Sequence, residues 1–246
     1  MRKVELFCNG EWTIGDGVSG SFCSDNTLSD KSYQNEPLTP SPMVHSPLII
    51  LNTTQDEGQD VYNALCKMTN RDFVLAAISG LNWGHDMTPW EVPAIPHGDP
   101  CTGGAGDYIE DLKKELIPDI LSRLDFTPSF TAIAGYSLAG LFAIYCTYKT
   151  DIFDRVASIS GSLWYPGFMD FVESNEMARK PDKMYISLGD KEAKTRIKTM
   201  QSVRANTDRL ASFYKESGID LTYEINPGNH FTDIVKRTAK GIRAVL

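Results

Sequence analysis

The chain predicts an α/β fold, with a mostly parallel central sheet and helices on both faces. Two observations carry this. From Ser46 onward, short apolar runs alternate six times with helical stretches, and serial βα units of that kind build parallel sheets. The first of these runs, Leu48-Ile49-Ile50-Leu51, is continuously apolar rather than alternating, as for a strand covered on both faces. In such sheets ligands bind at the carboxyl ends of the strands, so the residues just after each strand are read first for chemistry.

The elements follow in order. Residues 1–8 and Glu11-Trp12-Thr13-Ile14 read as two N-terminal strands, and Ser19 to Pro42, rich in Ser, Asp, Asn, Pro and Thr, reads as loop. After Leu48–Leu51 a helix is expected over about 57–68, with Val61, Leu65 and Met68 on one stripe. Phe73 to Ile78 is the next buried strand, and a long loop over 80–106 follows it. Ile109, Leu112, Leu116, Ile120 and Leu124 step by three or four, predicting a helix over about 107–124. Phe130 to Ala134 is a strand. Leu138 to Tyr148 is a helix with Leu138, Leu141, Phe142, Tyr145 and Tyr148 on one side. Val156 to Ile159 is a strand, with a helix near 168–178. Met184, Ile186 and Leu188 alternate as a strand, and a helix over about 195–216 ends at Gly218 as a C-cap. Leu221, Tyr223 and Ile225 form the last strand, before a final helix at about 231–245.

Composition excludes several classes. Among 246 residues, 24 basic and 32 acidic side chains give a formal charge of −8. That argues against nucleic-acid or anionic-membrane partners, which need a dense basic patch. The N-terminal residues lack an apolar run of signal-peptide type, and no apolar stretch approaches the ~18 residues of a membrane span. Five cysteines without a CxxC pair suggest reduced thiols, hence a cytoplasmic protein.

The chemistry centres on Ala134-Gly135-Tyr136-Ser137-Leu138-Ala139-Gly140, between an apolar strand and an apolar helix. This is the context of a nucleophile elbow, in which a tight turn presents a serine and needs small residues two positions away. Gly135 meets that need, and Ala139 stands where GxSxG has its second glycine. The turn aims the Leu138 backbone N–H above Ser137, supplying part of an oxyanion hole. A serine hydroxyl needs a base. His45 lies at the wrong end of the sheet, and His85 and His97 lie in the long loop. His230, in Asn226-Pro227-Gly228-Asn229-His230-Phe231, directly follows the last strand. The base needs an orienting carboxylate. Gly189-Asp190-Lys191-Glu192 offers two; Glu192 is preferred for its reach, and Asp190 stays open as the alternative. The order Ser, acid, His is that of α/β hydrolases.

At these residues the chain resembles the "putative esterase" family of α/β hydrolases, which includes esterase D, enterochelin-esterase-like and feruloyl esterases and mycolyltransferases. The resemblance covers roughly 46–246. It rests on Gly135 to Gly140, on Gly189 to Glu192, and on Gly228-Asn229-His230-Phe231, with Ser160-Gly161-Ser162-Leu163-Trp164 as a lesser likeness. It implies one α/β-hydrolase domain over 1–246, with 1–45 as irregular N-terminal strands and loop and 46–246 as the catalytic core. It also implies a second oxyanion donor after the strand at 48–51, from the backbone N–H of Thr53 or Thr54.

Trp83, Trp90 and Trp164 follow sheet strands and are expected to wall a substrate pocket. His85-Asp86 and His97-Gly98-Asp99 lack metal-ligand spacing, so no metal is expected. Gly103-Gly104-Ala105-Gly106 is followed by Asp107, Glu110 and Asp111, which repel a phosphate, so no cofactor is expected. The resulting expectation is a serine carboxylic-ester hydrolase acting on a small-molecule ester through an acyl-enzyme. An acyltransferase on the same site and a non-catalytic binding module of the same fold are the alternatives. The oligomeric state is left open.

Overall fold

A computed structural model describes residues 2–9, 46–93 and 100–246. The strand expected at Glu11–Ile14, the loop Ser19–Pro42, His45 and the His97-Gly98-Asp99 group lie outside the described residues.

Seven strands form one sheet: β1 (Lys3–Asn9), β2 (Leu48–Asn52), β3 (Phe73–Ser79), β6 (Thr131–Tyr136), β7 (Arg155–Ile159), β8 (Lys183–Gly189) and β9 (Leu221–Asn226). Their spatial order is β1-β3-β2-β6-β7-β8-β9. All neighbours pair in parallel except β1, which runs antiparallel to β3 along one edge. A separate antiparallel pair of two-residue strands, β4 (Glu91–Val92) and β5 (Cys101–Thr102), sits inside the long loop. β2 and β3 are buried along their whole length, which accounts for their unbroken apolar sequence. This is the α/β-hydrolase fold expected from the sequence.

The helices cover both faces. Leu48, Ile50, Ile133, Val156 and Ile186 pack on one side with Tyr108, Phe142 and Leu210. These come from α3 (Ala105–Asp111), α5 (Leu138–Lys149) and α7 (Val203–Glu216). Ile49, Leu51, Ala132, Ala134 and Tyr185 pack on the other side with Val61, Leu65, Ile242 and Val245, from α1 (Gly58–Cys66) and α8 (Ile234–Val245). The remaining helices are short: α2 (Trp83–Asp86), α4 (Ile117–Ser122) and α6 (Phe168–Ser174).

Several elements differ from expectation for local reasons. The helix expected over 107–124 starts at Ala105 and carries a π turn over Leu112–Leu116, where Ile117 N–H reaches back to the Leu112 carbonyl. Pro118 follows and has no N–H to continue the normal ladder. The helix expected from 195 begins as a 3₁₀ turn at Lys198–Ser202. Thr195 Oγ1 accepts the Ile197 N–H at 3.2 Å, a local bond that competes with helix. α5 is not one-sided: Ala139 to Tyr148 are all buried, because it lies under both the long loop and the segment after β7. Cys8 and Cys146 are free and buried, and Cys101 is buried. Cys66, however, is disulfide-bonded, so the expectation of uniformly reduced thiols is corrected, and with it the cysteine argument for a cytoplasmic protein. No helix among the described residues is long and apolar enough to cross a membrane.

Candidate active site

The chain order reverses across the β2–β6 pair, so the loops leaving these two strands diverge and open a crevice at their carboxyl ends. Ser137 stands there, between β6 and α5, with φ 61° and ψ −121°. A non-glycine residue held in such backbone stores roughly 1–3 kcal/mol of strain. The surroundings enforce it. Ser137 N–H donates to the Ile159 carbonyl at 3.1 Å, and the Ser137 carbonyl accepts from Ser162 N–H at 3.0 Å. Gly135 is required, because a Cβ there would lie 2.4 Å from the Ala139 carbonyl group. Ala139 is tolerated because Gly135 leaves space for its methyl.

His230 Nε2 lies 3.0 Å from Ser137 Oγ, and His230 Nδ1 lies 2.7 Å from Glu192 Oε2. The three candidate residues, far apart in sequence, thus meet in one hydrogen-bonded line. Asp190 does not touch His230; its Oδ1 accepts Gly228 N–H at 2.7 Å and braces the turn that carries the histidine. Gly189 lets the two turns approach, since a Cβ there would sit 2.5 Å from the Gly228 carbonyl oxygen.

Glu192 is almost enclosed, with 3% of its side chain exposed. Burial pushes its carboxyl upward, but the bonds from His230, Ser160 and Gly189 outweigh that and hold it below the usual carboxylate value. Its Oε1 accepts Ser160 Oγ–H at 2.7 Å and Gly189 N–H at 2.6 Å. Ser160 is itself in a left-handed conformation, φ 47°.

The crevice has a volume of about 220 Å³ and is mostly apolar; Leu51, Val61, Trp83, Tyr136, Phe231 and Ile234 contribute to its walls beside Ser137 and His230. Phe231 is 79% exposed at its rim. Of the three tryptophans expected to line a pocket, Trp83 does so. Trp90 instead packs against Tyr145, Tyr165, Phe168 and Phe171 and donates Nε1–H to the Pro166 carbonyl. Trp164 is absent from the lining of this crevice and lies tilted beside Tyr165.

The two threonines behave differently from expectation. Thr53 N–H donates to the Ile78 carbonyl at 2.9 Å. It is spent on the sheet, which corrects its assignment as an oxyanion donor. Thr54 N–H and Oγ1–H both donate to the Glu57 carboxylate, at 3.2 and 2.6 Å. Leu138 is the first residue of α5, so its N–H has no carbonyl partner one turn back.

His85 pairs with Thr102 Oγ1 at 2.7 Å, and among the described residues no group of His, Cys, Asp and Glu is arranged to hold a metal ion. The sequence reading missed Glu57 and Arg237. Arg237 is 3% exposed, and its signal was present: a lone arginine inside the stripe Ile234, Thr238, Ile242 and Val245.

The model of the family described as "Putative esterase" matches residues 69–230. An uncharacterized Bacillus subtilis protein, YbbA, is 25% identical over 151 residues, 60% of each chain; the match therefore spans less than two thirds of that relative's length. Among solved structures, an IroE-like serine hydrolase from Shewanella oneidensis superposes with a TM-score of 0.64 at 19% identity, covering 80% of this chain and 69% of the other. The siderophore hydrolase EstB from Aspergillus nidulans gives 0.65 at 17% identity, covering 84% of each. The structural likenesses concern the fold, whereas the family model covers more than half of the chain, and on that ground the chain belongs to the "Putative esterase" family.

Proposed function

We propose that this chain is a serine carboxylic-ester hydrolase acting on a small-molecule ester. The observation that carries the reading is the line Ser137 Oγ, His230 Nε2, His230 Nδ1, Glu192 Oε2, with separations of 3.0 and 2.7 Å at its two hydrogen bonds. His230 takes the Ser137 proton as the oxygen attacks the ester carbonyl. Glu192 holds the imidazole in the tautomer that leaves Nε2 free to accept, and stabilises the imidazolium that forms. Leu138 N–H receives the oxyanion. Thr54 N–H is the second donor; its bond to Glu57 is exchanged for one to the oxyanion. His230 then protonates the leaving alcohol, and water, deprotonated by the same nitrogen, releases the acid.

Family membership and the hydrolases that share the fold support ester hydrolysis. The small apolar crevice supports a small-molecule substrate. A panel of p-nitrophenyl esters of increasing acyl length, with Ser137→Ala as the blank, tests the reading. Turnover that depends on Ser137 and declines with long acyl chains is expected. Turnover that survives Ser137→Ala refutes it.

A further inference from the structure

We propose that Arg237 is a positioning residue for this reaction, locking Glu192 and the turn that carries His230 into one unit. The inference rests on the serine-hydrolase reading above. The Arg237 side chain is 4% exposed. Its Nη2 donates to the Pro227 carbonyl at 2.7 Å and its Nη1 to the Asn229 carbonyl at 3.0 Å. Nη1 also reaches Tyr136 Oη at 3.3 Å and Glu192 Oε1 at 3.5 Å. Tyr136 Oη in turn donates to the His230 carbonyl at 2.6 Å. One planar fork therefore contacts the backbone on the approach to His230, the tyrosine that holds His230 itself, and the acid behind its ring.

The strength of these contacts says what the arginine does. Its distance to Glu192 is the longest of the four, and Glu192 Oε1 already accepts two shorter bonds. Its shorter bonds go to the turn. A guanidinium can hold two carbonyls at a fixed separation, whereas an ammonium is a point donor. Removing it takes the shared donor from the Pro227 and Asn229 carbonyls and lets the turn relax, which misplaces the imidazole without touching it.

The test is the saturating rate and the half-saturating concentration with which a fluorophosphonate labels Ser137 in the full chain and in Arg237→Lys, Arg237→Gln and Tyr136→Phe. Arg237→Lys is expected to lower the saturating rate about tenfold with the half-saturating concentration unchanged. Arg237→Gln is expected to be slower still, and Tyr136→Phe to lower the saturating rate several-fold. A folded Arg237→Gln chain with the wild-type saturating rate overturns the proposal. If neither Arg237 variant folds, Tyr136→Phe decides, and a wild-type saturating rate there overturns it. A wild-type chain that takes no label sinks the hydrolase reading instead, together with anything resting on it.

Discussion

Replacing Glu192 by glutamine changes one atom's chemistry at an enclosed point of the site. Oε1 accepts from both Gly189 N–H and Ser160 Oγ–H. The amide of a glutamine must keep its oxygen there, because a backbone N–H cannot be turned to face an NH₂ group. The amide nitrogen then replaces Oε2 and points at His230 Nδ1 across 2.7 Å. It donates where the carboxylate accepted, which forces the proton onto Nε2. That nitrogen faces Ser137 at 3.0 Å and can no longer take its proton. The expected loss is ~10⁴ in kcat, as for triad acids changed to amides, or about 5.5 kcal/mol of transition-state stabilisation. Asp190→Asn is the control. It keeps an oxygen to accept Gly228 N–H, so the turn stays braced and kcat should stay within about threefold of wild type. The assay is p-nitrophenyl butyrate hydrolysis, with circular dichroism to show that both variants fold. A Glu192→Gln enzyme within tenfold of wild type, or a crippled Asp190→Asn, refutes the reasoning.

Two further outcomes are expected. Glu57→Gln retains an acceptor for Thr54 but removes a negative charge from the crevice where an oxyanion develops. It should raise kcat/KM for a neutral ester by about two- to fivefold after allowance for solvent screening; a fall would show that the carboxylate assists the reaction. The Glu192 carboxyl sits lower in the folded chain than its ordinary value, so its contribution to stability is present above the unfolded value, near ~4.3, and is lost as pH drops through the lower folded one. Thermal melts between about pH 6 and 3 should therefore fall less steeply for Glu192→Gln than for wild type, and identical slopes would contradict this.

Much of the fold was legible because the sheet is covered on both sides. β2, β3, β6 and β7 announce themselves as apolar runs, and β8 and β9 by alternation. The two-residue strands β4 and β5 are too short to carry a period. The π turn in the helix from Ala105 depends on which carbonyl each N–H selects before Pro118, which side-chain spacing does not encode. At the site, Ser137, Glu192 and His230 stood out in the sequence as candidates because Ser137 directly follows β6, Glu192 and His230 lie in the turns just after β8 and β9, and each is of a chemically distinctive type. Thr53 was misread because its backbone N–H is consumed by Ile78, a pairing set by strand register rather than by residue type. Trp90 was misplaced for a related reason: an indole after a strand can turn toward the crevice or into the core, and the aromatic cluster around Phe171 draws it inward. Arg237 was the opposite case. A charge inside an apolar stripe was visible, yet its partners lie in other elements and could be named only in three dimensions.

The most direct measurement is a crystal structure of the chain after treatment with a fluorophosphonate. Phosphorus should be bonded to Ser137 Oγ, with its phosphoryl oxygen about 2.7–3.1 Å from the Leu138 nitrogen and the His230 ring still seated against Glu192. Phosphorus attached to any other residue, or a phosphoryl oxygen turned away from Leu138, would contradict this.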